Sequence, residues 1–132
     1  MTEKTNTVNT AKVVYQENYN FHKIFVVKRH IAAMGLDDTW YCGYVSRNRN
    51  NHKVKLDVAP STVFEIAENE FKCFGGVTFT GQLDYVLNFA GDIIGFDTQH
   101  PGMENLTLKD VISDTKYLCD QLVQLENEHK IK

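Results

Sequence analysis

The stretch TLKDVISDTKYLCDQLVQLENE, residues 107–128, decides the fold of this chain. Leu108, Val111, Ile112, Thr115, Leu118, Cys119, Leu122 and Leu125 follow one another at helical spacing, mostly three or four residues apart. Such spacing lays one apolar stripe along an α-helix. Thr107, with Asp110 three residues on, forms a start of the capping-box type. The pattern predicts a helix from 107 to 128, roughly 33 Å long at a rise of about 1.5 Å per residue. A stripe of that length needs a large apolar partner, and a sheet is the large partner that the rest of the chain offers. The expected class is therefore α+β, an antiparallel sheet packed against a long C-terminal helix.

Upstream, residues 22–33 (HKIFVVKRHIAA) are rich in β-branched residues and read as a strand. Gly35-Leu36-Asp37-Asp38 follows as a turn, and Trp40–Val45 alternates as a second strand. Together they predict an antiparallel hairpin with a longer loop. By the same alternation Tyr44 shares a face with Trp40 and Cys42, opposite Tyr41. Residues 46–53 (SRNRNNHK) read as a polar basic loop, 54–58 (VKLDV) as a short edge strand, and 63–68 as a short helix. Ser61 or Thr62 would cap that helix, with Glu65 placed to complete a capping box. Residues 71–80 alternate around Gly75-Gly76. Residues 84–97 read as two short strands joined near Gly91-Asp92, or as one strand with a bulge. Pro101-Gly102 marks a turn. Residues 1–11 are polar and aperiodic, so 1–20 are expected to form a loose tail ahead of a single domain over 21–132.

Composition bounds the function. The chain has 132 residues, the size of one domain, with 42% hydrophobic and 23% charged residues, which is enough to form a core without covalent staples. A formal net charge of −3 argues against a broad nucleic-acid footprint, which wants clustered Lys and Arg. The three cysteines, Cys42, Cys73 and Cys119, form no CxxC pair and read as reduced, buried thiols of a cytosolic protein. No apolar stretch follows Met1, so no signal peptide is expected. The apolar run Ile24–Val27 is far too short to span a bilayer, so no membrane partner is expected.

Few residues promise chemistry. Gly75-Gly76 predicts either a structural bulge or a ligand-facing turn. It is no phosphate loop, because no Lys-Ser/Thr or helix follows. Asp97 and His100 meet if a tight turn forms between them. They would then act as a general acid/base pair, as half of a metal site, or simply as a turn cap beside a packed ring. A metal site would need a further ligand, and His22, His30, His52 and His129 lie in unrelated contexts, so neither a metal nor a cofactor is expected. Trp40, Tyr41 and Tyr44 could stack on a ligand ring but fit a core equally well. Arg47, Arg49, Lys53 and Lys55 read as a solvated loop or as a contact for an acidic partner. No nucleophile elbow, dinucleotide fingerprint, HExxH or zinc-finger spacing is present.

Cys42-Gly43-Tyr44-Val45, Gly75-Gly76-Val77-Thr78-Phe79 and Ile94-Gly95-Phe96-Asp97 with His100, followed by the closing helix, resemble in order and spacing a family of small proteins of bacteriophages, prophages and their bacterial hosts. The resemblance covers roughly residues 22–125. It implies an α+β accessory protein of the host cytoplasm and brings no activity with it. The family pattern has a His before the double glycine and an acid after the His of the third motif. Here those positions hold Phe74 and Met103, which argues against a site needing all four polar groups.

The expectation is therefore a binder of a small, nucleotide-like ligand at Tyr44, Gly75, Gly76, Thr78, Asp97 and His100, which in a phage setting would sequester a host defence signal. One alternative is an inhibitor or adaptor of a host protein, acting through Arg47 and Arg49. The other is a small hydrolase using Asp97 and His100. A homodimer is compatible with an exposed sheet edge.

Overall fold

Two tight hairpins build the larger part of the sheet. Asn20 and Phe21 both take positive φ, 50° and 72°, and join β1 (Val8–Tyr19) to β2 (His22–Ala33). Met34 and Gly35, at 52° and 84°, join β2 to β3 (Leu36–Ser46). Positive φ at both central residues is the turn whose twist matches that of paired strands. The computed structural model describes residues 8–47, 60–89 and 91–128. Beyond the hairpins come α1 (Pro60–Glu70), β4 (Phe79–Gly81), α2 (Asp84–Leu87), β5 (Ile93–Asp97) and α3 (Leu108–Glu128). The five strands pair antiparallel in the order β1-β2-β3-β5-β4, and α3 packs across the sheet. The α+β class expected from the helical stripe is the observed one.

Side chains alternate between two faces. On the α3 face lie Ile24, Val26, Val45, Ile94 and Phe96, packed with Val111, Leu118, Cys119 and Leu122 of α3 and with Val63 and Ala67 of α1. Gly43 sets the helix–sheet distance, because a Cβ there would overlap Thr115 Oγ1 and the Phe96 ring. Phe25, Val27, Cys42 and Tyr44 point to the opposite face, where Leu83, Val86, Leu87 and Phe89, in and around α2, cover part of the sheet. The uncovered remainder of that face is where a site can form.

Three expectations change. Residues 8–19 are not a loose tail: they form β1, in register with β2 from Val8↔Ala32 to Tyr19↔His22. Most of the strand's polar residues are exposed, so a half-solvated strand mimics a tail in composition. The loop between β2 and β3 is short, since Leu36–Asp38 already belongs to β3. Residues 84–87 are helical rather than extended, and regular strand in 71–80 is confined to its end, where β4 begins at Phe79. There Gln121 Nε2 donates to Lys72 O at 2.7 Å and Gln121 Oε1 accepts from Lys72 N at 2.8 Å. Asp114 Oδ2 accepts from Phe74 N at 2.7 Å. Side chains of α3 thus supply the hydrogen bonds that a neighbouring strand would have supplied. The 54–58 strand, Arg49 and the Ser61 and Thr62 caps lie outside the residues or side chains described.

Candidate functional site

The register brings β2, β3 and β5 into one grid on the face opposite α3. Arg29 pairs with Trp40, Val27 with Cys42, Cys42 with Asp97, and Tyr44 with Gly95. Gly95 lets the Tyr44 ring lie across β5, for a Cβ there would overlap the ring and come 2.7 Å from Gly43 O. The ring meets Phe79 of β4 edge-on, with centroids 6.0 Å apart. Thr78 is held beside it by its N–H, which donates to Gly95 O at 2.9 Å.

These residues enclose a hollow of about 270 Å³, walled by Arg29, Trp40, Cys42, Tyr44, Thr78, Phe79, Asp97 and Gln99. Tyr44 is 4% exposed, so it serves as floor rather than as a stacking plate, whereas Trp40 and Phe79 are half-buried. Burial pushes the Tyr44 phenol well above its usual range and raises the Cys42 thiol, with the Asp97 charge adding to the latter. Both side chains therefore stay protonated at neutral pH.

His100 lies next door. It lines a second hollow of about 470 Å³ with Asp38, Thr39, Trp40, Tyr41, Gln99, Met103 and Glu104 among its walls. Trp40 and Gln99 border both hollows. The segment between them is stapled to β3: Thr98 Oγ1 donates to Tyr41 O at 2.9 Å, and Gln99 Nε2 donates to Asp38 Oδ2 at 3.0 Å. Asp97 Oδ1 accepts the Gln99 N–H at 3.0 Å, closing the tight turn that brings His100 Nε2 to 3.2 Å from the same oxygen. That nitrogen is buried and, despite its nearness to Asp97, lacks an aligned hydrogen bond.

Of the residues singled out in the sequence, Tyr44, Thr78 and Asp97 share one hollow and His100 opens on its neighbour. Gly75 and Gly76 line neither. Gly76 N donates to Cys73 O at 3.0 Å, closing a turn with φ of +72° at Gly75. A Cβ on Gly75 would lie 2.7 Å from His100 Cδ2 and Nε2, so this glycine is the surface on which the imidazole rests. Phe74 meets Phe96 edge-on with ring centroids 6.3 Å apart, and Met103 borders the larger hollow. Arg47 is tied to Asp92 by a 3.3 Å ion pair and by its N–H to Asp92 O at 2.8 Å. Among the described residues no three His, Cys, Asp or Glu side chains gather as a metal cage, and no helix is long and apolar enough to cross a membrane.

Two features escaped the sequence reading. Arg29 follows Phe25 and Val27 at alternate positions, and that period was the signal that it faces the same side as they do. His22 and Glu126 form a buried pair on the other face: Nδ1 lies 2.7 Å from Ser46 O and Nε2 2.7 Å from Glu126 Oε1. A carbonyl only accepts, so Nδ1 carries a proton. Glu126 falls within the apolar stripe of α3, which was the available hint.

Comparison of the chain with protein-family models, with curated proteins and with solved structures finds no match in any of the three.

Proposed function

We propose that this protein binds a small ligand of the nucleotide type on the open face of its sheet. The observation that carries the reading is the adjacency of two hollows that share Trp40 and Gln99 as walls, one holding Tyr44, Thr78 and Asp97 and the other His100. A concave surface with half-buried aromatic rings and a few convergent polar groups suits a planar ring with polar substituents. Binding is preferred to turnover because His100 Nε2 is buried against Gly75, and among the described residues no nucleophile or metal set accompanies it. In the phage setting that the motif resemblance implies, such a binder would withdraw a host signalling nucleotide from solution. Contact with a host protein through Arg47 is less favoured, since that side chain is already paired with Asp92.

Thermal denaturation with a panel of linear and cyclic nucleotides tests the reading. A saturable rise in melting temperature with at least one of them, abolished by Trp40→Ala, is expected. Absence of any shift at millimolar ligand overturns it.

A further inference from the structure

The two charges that line the smaller hollow are engaged to different degrees. Asp97 already accepts the Gln99 N–H at 3.0 Å and lies 3.2 Å from His100 Nε2. Arg29, on β2, faces it across Cys42 and Tyr44. The guanidinium is half-buried and its neighbours are uncharged: Nη2 donates to Tyr44 Oη at 3.5 Å, and the Cys42 thiol lies within hydrogen-bonding reach. Among the described residues no carboxylate lies within 4 Å of it. A guanidinium carries five N–H donors in a planar fork that matches a phosphate or carboxylate edge. Holding that fork half out of water without a counter-charge costs free energy, and an incoming anion removes the cost.

We infer that Arg29 is an anion-binding residue that takes the phosphate of the ligand while the ligand's ring lies against Trp40, its partner across the β2–β3 pair. This rests on the nucleotide reading above and names the group by which the ligand is held. Tyr44 and Thr78 line the same hollow and carry hydroxyls that can donate to a phosphate, and burial keeps the phenol protonated. The substrate class narrows accordingly to a phosphorylated nucleoside.

Calorimetric titration of the whole protein with one nucleoside and its 5′-monophosphate, for each common base in turn, tests this. For the base that binds, the monophosphate is expected to bind at least about tenfold more tightly than the nucleoside, as a charge-assisted pair implies. Arg29→Met, or Arg29→Gln if the first does not fold, is expected to bring the two to parity. Equal affinities in the unaltered protein, or a phosphate preference that survives both substitutions, overturn the assignment and leave the nucleotide reading standing. No binding of either compound, for any base, instead removes the nucleotide reading and the assignment with it.

Discussion

Gly95 does two things that no other residue can do at its position. It leaves room for the Tyr44 ring, and it lets β5 lie close to Gly43 O. Gly95→Ala therefore forces the ring off the sheet or the strands apart, at about 1–3 kcal/mol for an overpacked site. Urea denaturation measures that loss, and ligand binding should fall with it, because Tyr44 is the floor of the smaller hollow. Glu126 poses the opposite problem, a buried acid with a buried His as partner. Glu126→Ala leaves the His22 ring without that partner and should cost about 3–5 kcal/mol, whereas Glu126→Gln, whose amide N–H can donate to Nε2, should cost clearly less. Equal losses in the two variants would show that the hydrogen bond to Nε2 is unimportant. At this scale the sequence was legible in part. Asp97 and His100 meet because the 97–99 turn is local, and local turns leave a signature. The Gly75–His100 contact and the His22–Glu126 pair join residues distant in the chain, and no spacing rule encodes them.

Elements were legible where periodicity was long. The α3 helix begins as the capping box requires: Asp110 N donates to Thr107 Oγ1 at 3.1 Å and Thr107 N donates to Asp110 Oδ2 at 2.9 Å. Thr107→Ala should cost about 1 kcal/mol by thermal or urea denaturation. The Thr107 N–H first, and its hydroxyl next, hold the Asp110 carboxyl below its usual range. A depressed folded-state value means stability that is present above the unfolded carboxylate's value and lost as pH falls through the folded one. The stability gap between the unaltered protein and Asp110→Asn should therefore narrow between neutral pH and about pH 3. A gap independent of pH would contradict the box. Asp114 runs the other way. Desolvation raises its carboxyl, partly offset by the Phe74 N–H, so its contribution is lost as pH rises through the folded-state value. Short elements were misread for a common reason. Residues 71–74 alternate in part and 84–87 carry the β-prone run Tyr85-Val86-Leu87, but contacts from α3 and burial of Leu87 decide their shape, and both lie outside any local window.

For the molecule as a whole, β1 is a structural strand rather than an appendage. Its pairing with β2 covers one edge, and Val13 and Ala11 pack against the cluster of Phe25, Val27 and Tyr44. Removal of residues 1–19 should consequently abolish cooperative folding, seen as loss of a sigmoidal melt by circular dichroism; a sharp transition in the shortened chain would restore the tail reading. Among the described residues, α3 and α1 lie on one face of the sheet, and α2 with its flanks covers only part of the other. The architecture was readable because a long amphipathic helix demands a sheet. The bare area was not, because it depends on how far a four-residue helix reaches across a neighbouring surface.

The central claim is that this bare area holds a ligand. Backbone amide NMR spectra recorded during titration with the phosphorylated nucleosides address it directly. Saturable changes are expected at Arg29, Trp40, Tyr44, Thr78, Asp97 and Gln99, while the solvent-facing side of α3 stays unchanged. Saturable changes that cluster elsewhere, or none at all, would contradict it.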